Sequence, residues 1–545
     1  MVRAFRECGA TLGYYRLYKF SIFVVSIAWK VITMSGICSS KELVEKYFAE
    51  GDNDVWTCKC KKSRKKGKGW ANLIDHIQRE HADTLEAAKK KGSGPILQFF
   101  SKKDTNLFSW VEWIVKDLLP FRFCEKSTTK KFSRLEAITV ESLMKAMTRL
   151  TVKVEQKLKS LLPDMFSLAF DGWSSGGKHF LTVFAMWPDS DQTIGYSQAM
   201  LSFAPLQDKE HLDADSHMNT ILEILRFYGK DYSNIACITG ENCSTNRSLA
   251  QKTHLYFVGC ASHRLNLGVK IILESYSPVM ESIHAVMIWL RNLKARAALR
   301  RYTHLGPVLC NMTRWSSMKK MIDRYFEILE PISIVVPAEL QLSPGDNRMG
   351  GILQKILVDL DMITVQFQHE DLSMCDVRAY LDVAIQAFPE LSEHCGPESR
   401  IVVDPEFENA VVKIQMAQQC NEQLALNRAQ ELCVQHLKKP LDNPGVEEIQ
   451  PQPQPTDLQA LMKKIKKRKM DASSSSGCSS STSSYIDVRF IRPTSNKCER
   501  QFSVAGFAFT KNRQGLLPIN LEMQLFLNAN QHLWDLELFH SNDNE

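Results

Sequence analysis

Two short apolar runs in this chain each lead into an acid. Phe166-Ser-Leu-Ala-Phe170 runs into Asp171-Gly172-Trp173-Ser174-Ser175, and Ile235-Ala-Cys-Ile-Thr239 runs into Gly240-Glu241-Asn242-Cys243-Ser244. A β-favouring run closed at a glycine reads as a strand whose end exposes the carboxylate, and oxygen donors held there suit a divalent cation. Two such ends in one small sheet can face each other across adjacent strands. A third acid, Glu499 in Cys498-Glu499-Arg500-Gln501-Phe502-Ser503, lies far downstream on an expected helix. Three carboxylates around two metal ions can clamp the attacking and leaving oxygens of a phosphodiester. Spacing alone leaves a second reading open, in which Asp171 and Glu241 are ordinary turn or capping residues.

A second constellation lies near the N-terminus. Trp56-x-Cys58-x-Cys60, then fifteen residues, then His76-x4-His81 supplies two thiolates and two imidazoles, a donor set that Zn²⁺ takes tetrahedrally. Cys58 and Cys60, two apart on an expected strand, point the same way, and His76 and His81 flank a helical turn starting near Trp70. Seven of the eleven residues from Lys59 to Gly69 are basic, among them Lys61, Lys62, Arg64, Lys65 and Lys66, so a metal-stapled knuckle here would meet phosphate. Trp70, Leu73 and Ile77 offer the small apolar face that a finger needs. The alternative is a solvated basic segment whose Cys and His residues never meet.

These sites need elements to hold them. The chain has 545 residues, 44% hydrophobic and 24% charged, enough for three to four domains at roughly 150 residues each. A formal net charge of +7 is mild for that length and gains meaning only where it clusters. Fifteen cysteines, an odd number spread thinly, exclude a small disulfide scaffold and point to a reducing compartment. No apolar run of about 18 residues appears, so no membrane span is expected. The nearest approach, Phe20 to Ile32, is broken by Lys30 and follows Arg3, Arg6, Arg16 and Lys19. Residues 1–40 are read as a leader, spurious or disordered, with Met34 a plausible start.

Residues 41–91 carry the finger, and 92–163 read as a helical connector with Trp110, Trp113 and Ile114 at helical spacing. Over 164–275 the period changes. Strands are expected at Phe166 to Phe170, Phe180 to Trp187, Tyr196 to Phe203, Ile235 to Thr239 and Leu255 to Cys260, with a helix near Ser216 to Tyr228, an α/β arrangement of mixed sheet order. Residues 276–438 read as all helical. Five prolines over 439–458, a serine tract from Ser473 to Ser484 and the basic cluster Lys463 to Lys469 mark 439–484 as a low-complexity linker unable to fold, its cations serving nuclear import or tethering DNA, or merely solvated. Globular character returns over 485–545.

Taken in order, these motifs resemble the hAT superfamily of cut-and-paste DNA transposases with a BED-type zinc finger. The resemblance rests on the finger, Phe170-Asp171-Gly172-Trp173, Gly240-Glu241-Asn242-x3-Asn246, Gly259-Cys260-Ala261-Ser262-His263-Arg264-Leu265-Asn266-Leu267, Thr313-Arg314-Trp315-Ser316-Ser317 and Pro493-Thr494-Ser495-Asn496 through Phe502-Ser503. The stretch from Arg513 and Pro518 through Leu525-Phe526-Leu527-x2-Asn530-x3-Trp534 resembles the family's C-terminal dimerisation segment. The order covers residues 56–539.

The resemblance implies an α/β RNase H-like core interrupted by an all-α insertion, with an N-terminal BED-type zinc finger and disordered linkers. It implies Asp171 and Glu499 as the first and third catalytic acids, both Mg²⁺ ligands, and puts Glu241 where the family carries its second aspartate. That extra methylene moves the carboxylate by roughly 1 Å in a site where such a shift is costly. It further implies that Cys260 and His263 lie beside the active site, and that Arg314 and Trp315 serve a flipped base by stacking worth about 1–3 kcal/mol. On the residues alone, Cys260 and His263 are equally a buried thiol and a core histidine, and Trp315 a core aromatic. Structural Zn²⁺ is expected on Cys58, Cys60, His76 and His81, with DNA as partner, a homodimer or higher oligomer through the apolar C-terminal helix, and the nucleus as location. A second class of function, a zinc-finger DNA-binding dimer that kept the fold and lost the chemistry, is favoured by Glu241, the serine tract and the short irregular insertion.

Overall fold

In the computed structural model, the described residues are 44, 47–51, 55–65, 72, 73, 76 and 80 near the N-terminus, then 101–175, 177–206, 213–310, 315–420, 423–439, 458–474, 484–508 and 517–541. The chain divides into two compact units, the first within residues 1–105 and the second spanning 106–541.

The first unit holds a three-stranded antiparallel sheet, β1 (Phe48–Glu50), β2 (Val55–Cys58) and β3 (Ser63–Lys65), in that order. Its small core is Val44, Phe48, Trp56, Cys58 and Leu73. Leu73 belongs to the expected apolar face. Trp70 and Ile77 lie outside the described residues, and the rest of the face comes from Val44, β1 and β2.

The second unit is mixed α/β. Its sheet comprises β4 (Phe166–Ser175), β5 (Lys178–Pro188), β6 (Tyr196–Pro205), β7 (Ile235–Gly240) and β8 (Phe257–Gly259), ordered β6-β5-β4-β7-β8. The first three form an antiparallel meander, and β7 and β8 join parallel to β4. All five strands begin within two residues of the expected positions. Their near-continuous apolar runs reflect a sheet covered on both faces.

Helices of ten residues or more in this unit are α1 (Lys102–Lys116), α2 (Val140–Leu161), α3 (Ala214–Phe227), α4 (Ser244–Thr253), α5 (Ala261–Glu274), α6 (Ser277–Trp289), α7 (Trp315–Glu327), α8 (Pro344–Phe367), α9 (Met374–Ala387), α10 (Pro405–Cys420), α11 (Leu458–Ser474), α12 (Asn496–Ala508) and α13 (Pro518–Ala529). None of the described helices is long and apolar enough to cross a membrane. The reading of 92–163 as a mere connector is corrected for its described part. Leu143, Met147, Leu150, Val154 and Leu158 recur at helical spacing on α2, whose start Thr139 caps by accepting from the Ser142 N–H, and that stripe joins the main core with Trp110 and Ile114 of α1.

Two apolar clusters organise the unit. One gathers the sheet, α1, α2 and α13. The other gathers the helices over 261–395 together with Leu461 and Ile465. That last pair corrects the expectation that 439–484 cannot fold. Residues 458–474 form α11, because Leu458, Leu461, Met462 and Ile465 recur three and four apart and bury a stripe against the helical cluster.

The C-terminal helix is covered by its own chain. Leu521, Leu525, Phe526 and Leu527 of α13 are buried in the main core, and Asn530 donates to the Met200 carbonyl (2.9 Å) and accepts from its N–H (3.0 Å), pairing the edge strand β6 as a neighbouring strand would. Leu517 and Ile519 stay exposed.

Candidate active site

Asp171 and Glu499 start on opposite sides of the whole helical insertion, and a short irregular segment joins them. After the insertion the chain runs beneath the strand ends: Ser167 Oγ donates to the Phe490 carbonyl (2.7 Å), Thr239 Oγ1 to that of Arg492 (3.0 Å), and the Ala261 N–H to that of Pro493 (2.9 Å). Asn496 then donates to the Phe367 carbonyl (2.8 Å), fixing the first turn of α12. Cys498 faces the sheet, its thiol 3.6 Å from the Ala169 carbonyl, and Glu499 follows on the exposed side.

Carboxylate oxygens of Asp171, Glu241 and Glu499 lie within 4.8 Å of one another. Asp171 was expected to end its strand, but β4 continues to Ser175 and Asp171 pairs with Thr182 of β5. What stops there is the other edge of the strand. The β4–β7 pairing ends at Ala169 and Thr239, so the two strands part and leave Asp171 and Glu241 at the mouth of the opening. The parting is built into small residues. A Cβ on Gly240 would come within 3.2 Å of the Asn246 amide and crowd Phe170, and one on Gly259 would strike the Asn242 side chain. Asn246 in turn donates to the Glu241 carbonyl (2.9 Å), which holds the turn that presents the acid.

The acids are electrically unequal. Burial, then the charges of Glu241 and Glu499, pushes the Asp171 carboxyl up to about 8, against the Gly172 N–H donated to it (2.8 Å). Glu241 moves the other way, because His263 Nδ1 stands 3.5 Å from its Oε1 and holds it below the usual carboxylate range. Three acids so close repel each other unless a proton or a cation lies among them. The donor set, all hard oxygens on one opening, fits a divalent ion such as Mg²⁺.

His263 therefore sits at the site, on the first turn of α5, and Cys260 lies beneath it. Cys260 is fully buried, accepts from the Ser495 N–H (3.4 Å), and has its thiol pushed up to about 11 by burial. It is a packing residue there, inert as a nucleophile. Trp315, expected as a base contact, is 5% exposed and belongs to the helical cluster, as Leu265 does. Arg314 lies outside the described residues.

Two groups within the quoted motifs were given no role by sequence reasoning. Trp173 and Phe502 stack in parallel at 6.2 Å and 10°, one two residues beyond Asp171 on β4 and the other three beyond Glu499 on α12, so one aromatic contact sets the distance between the segments that carry those acids. Their spacing from the acids, two on a strand and three on a helix, was the readable signal. Arg264 is the other. Buried, it forms an ion pair with Glu408 (2.9 Å) and donates to the His394 and Gly396 carbonyls, while Glu408 accepts from the Gly259 N–H (3.1 Å). This pair ties the helix of His263 to α10.

In the first unit, one ligand atom each from Cys58, Cys60 and His76 lies within 4.8 Å, with Cys60 Sγ 3.2 Å from His76 Nε2. The two thiols converge for a different reason from the one expected. Cys60 is off the strand, in a tight turn where the Lys61 N–H donates to the Cys58 carbonyl (2.7 Å) and Lys61 takes a positive φ of 67°. Two soft thiolates and an imidazole fit Zn²⁺. His81 and Lys66 lie outside the described residues. Lys61, Lys62, Arg64 and Lys65 are exposed, Lys62 pairing with Glu80 (2.7 Å).

Against known proteins, no protein-family model matches the chain and no curated protein matches it.

Proposed function

We propose that this chain is a hAT transposase-like DNA-binding protein whose ancestral activity is Mg²⁺-dependent cleavage and strand transfer of DNA. The observation that carries the reading is the meeting of Asp171, Glu241 and Glu499 within 4.8 Å, from two neighbouring strands and a helix separated from them by the entire helical insertion. Capping residues have no reason to converge in this way. The sheet order, an antiparallel meander followed by two parallel strands, is the arrangement expected of an RNase H-like core, and the Cys58, Cys60 and His76 cluster with its exposed cations is that expected of a BED-type finger.

Divalent cations bound here supply Lewis acidity to both the attacking and leaving oxygens of a phosphodiester. The chain's own part is to hold the acids rigidly. Asp171 is fixed by sheet pairing, Glu241 by the Asn246 turn, and Glu499 by Cys498 anchored on the sheet. Finger cations supply sequence-independent affinity for the phosphate backbone. A dimer through the C-terminus would rest on exposed residues such as Leu517 and Ile519, and the nucleus is the compartment where such a protein meets its substrate.

A second reading is favoured by one contact. His263 draws the longer side chain of Glu241 to itself, which suits a protein that binds DNA but no longer cleaves it. The two are separated by incubating the protein with Mg²⁺ or Mn²⁺ and duplex DNA carrying candidate terminal repeats. Nicking that Asp171→Asn abolishes supports the enzyme. Binding without nicking supports the relic, and absence of both defeats the DNA reading altogether.

A further inference from the structure

The basic run over 463–469 belongs to a docked helix. Arg468 forms an ion pair with Asp376, which is 1% exposed, and Lys469 pairs with Asp371 (2.9 Å), while Leu461 and Ile465 are buried beneath. Two of the cations are thus spent on fixing the helix. Others, among them Lys463 and Lys466, stay exposed, and among the described residues neither has an ion-pair partner. Beside them, between α11 and the α8–α9 pair, opens a cavity of about 710 Å³ lined by Lys463, Lys466, Lys469, His369, Gln366 and Tyr380.

We infer that α11 and this cleft form a second DNA-backbone site, in which Lys463 and Lys466 meet successive phosphates of one strand. The inference rests on the DNA reading above for its occupant. Lysines three apart rise roughly 4.5 Å along a helix, comparable with one phosphate per 3.4 Å of axis on each strand. Their charges are solvated and lie in a row on the rim, which suits a passing backbone rather than an enclosed small anion. Gln366, Tyr380 and His369 offer hydrogen-bond partners to phosphate and sugar without a base-reading pattern, while the one acid in the lining, Asp371, is paired by Lys469 and part of the wall is apolar, with Met362, Met462 and Ile465. Anchoring matters as much as charge, since a cation fixed by Arg468 loses less entropy on meeting phosphate than one on a mobile tail.

The test uses the full-length protein with zinc retained and without Mg²⁺, a labelled duplex of arbitrary sequence, and fluorescence anisotropy from 50 to 200 mM salt. The Lys463→Gln/Lys466→Gln variant, altered only at exposed positions, should bind about tenfold more weakly and lose about 1.8 from the slope of log K against log salt. Asp376→Asn removes a negative charge, so a free basic tail would bind as well or better. The docked site instead requires weaker binding. Unchanged affinity and slope in the lysine variant, or binding by Asp376→Asn as tight as or tighter than the wild type in a protein that still melts cooperatively, overturns the inference. Nicking of terminal repeats that is insensitive to the lysine variant would leave the acid site standing while this one falls, and DNA binding without nicking would do the reverse.

Discussion

His263 Nδ1 stands 3.5 Å from Glu241 Oε1, and this contact favours the charged form of Glu241. The imidazole draws Glu241 to the charged side while burial leaves Asp171 protonated until about pH 8. A histidine on one helix thereby supports one of the three acids, Glu241, in its charged form. His263→Gln should weaken divalent-cation binding roughly 10- to 100-fold, as loss of a supporting group around a metal ligand does. Mn²⁺ titration of the purified variant reads this directly.

Asp171 links the site to stability. Its folded-state value is raised, so its contribution is fully present below about pH 4 and is lost as pH climbs through about 8. In the absence of divalent cations the melting temperature should fall between pH 5 and 8, and Asp171→Asn should flatten that fall and gain roughly 1–3 kcal/mol over the wild type at pH 8. Adding Mg²⁺ should stabilise the wild type and leave the variant unmoved. Melting curves at several pH values, with and without Mg²⁺, check both.

Glu241→Asp shortens the side chain by one methylene, drawing it back from His263 toward the strand end. If the longer acid is what limits cleavage, this substitution should raise nicking by tenfold or more, since an ångström of misplacement costs about 100-fold. Gel assay of nicked duplex measures it. Equal rates in the two proteins would remove side-chain length from the account.

The Arg264–Glu408 pair is buried, so breaking one side is costly. Arg264→Met should destabilise the second unit by about 3–5 kcal/mol, because Glu408 loses its counter-ion in a dry site and the His394 and Gly396 carbonyls lose their donor. Arg264→Met/Glu408→Leu should recover most of that loss. Urea unfolding of the three proteins gives the comparison.

The first unit should depend on its metal. Chelation is expected to abolish hydrogen-exchange protection over residues 47–65 while β4 to β8 stay protected, since a core of Val44, Phe48, Trp56 and Leu73 is too small to fold unaided. Exchange followed by mass spectrometry resolves the two units.

The apolar runs at Phe166, Phe180, Tyr196 and Ile235 were readable because a strand covered on both faces writes itself as consecutive hydrophobes. Glu241, just past the end of β7, was readable as a strand-end acid. The extension of β4 past Asp171 was not, because Gly172-Trp173-Ser174-Ser175 looks like a turn until the long antiparallel partner β5 is known to run alongside it. Helix α11 was hidden by its composition. A run of lysines between prolines and serines reads as solvated, and the stripe Leu458, Leu461, Met462, Ile465 has meaning only once the helical cluster exists to receive it. Trp315 was ambiguous for the same reason, since a single indole suits a base or a core equally and only its neighbours choose. The apolar face of the C-terminal helix was expected to join two copies, and within this chain it packs into the main core beside the edge strand β6, clasped by Asn530.

The most direct measurement is Mn²⁺ binding to the full-length protein at pH 7.5, followed by electron paramagnetic resonance, with Asp171→Asn and Glu499→Gln beside the wild type. At least one Mn²⁺ should be held by the wild type and lost, or weakened about 100-fold, in either variant, because each removes a ligand of the same opening. A wild type that takes up no Mn²⁺ at millimolar concentration, or variants that bind as tightly as it does, would contradict the assignment of Asp171, Glu241 and Glu499 as a metal centre.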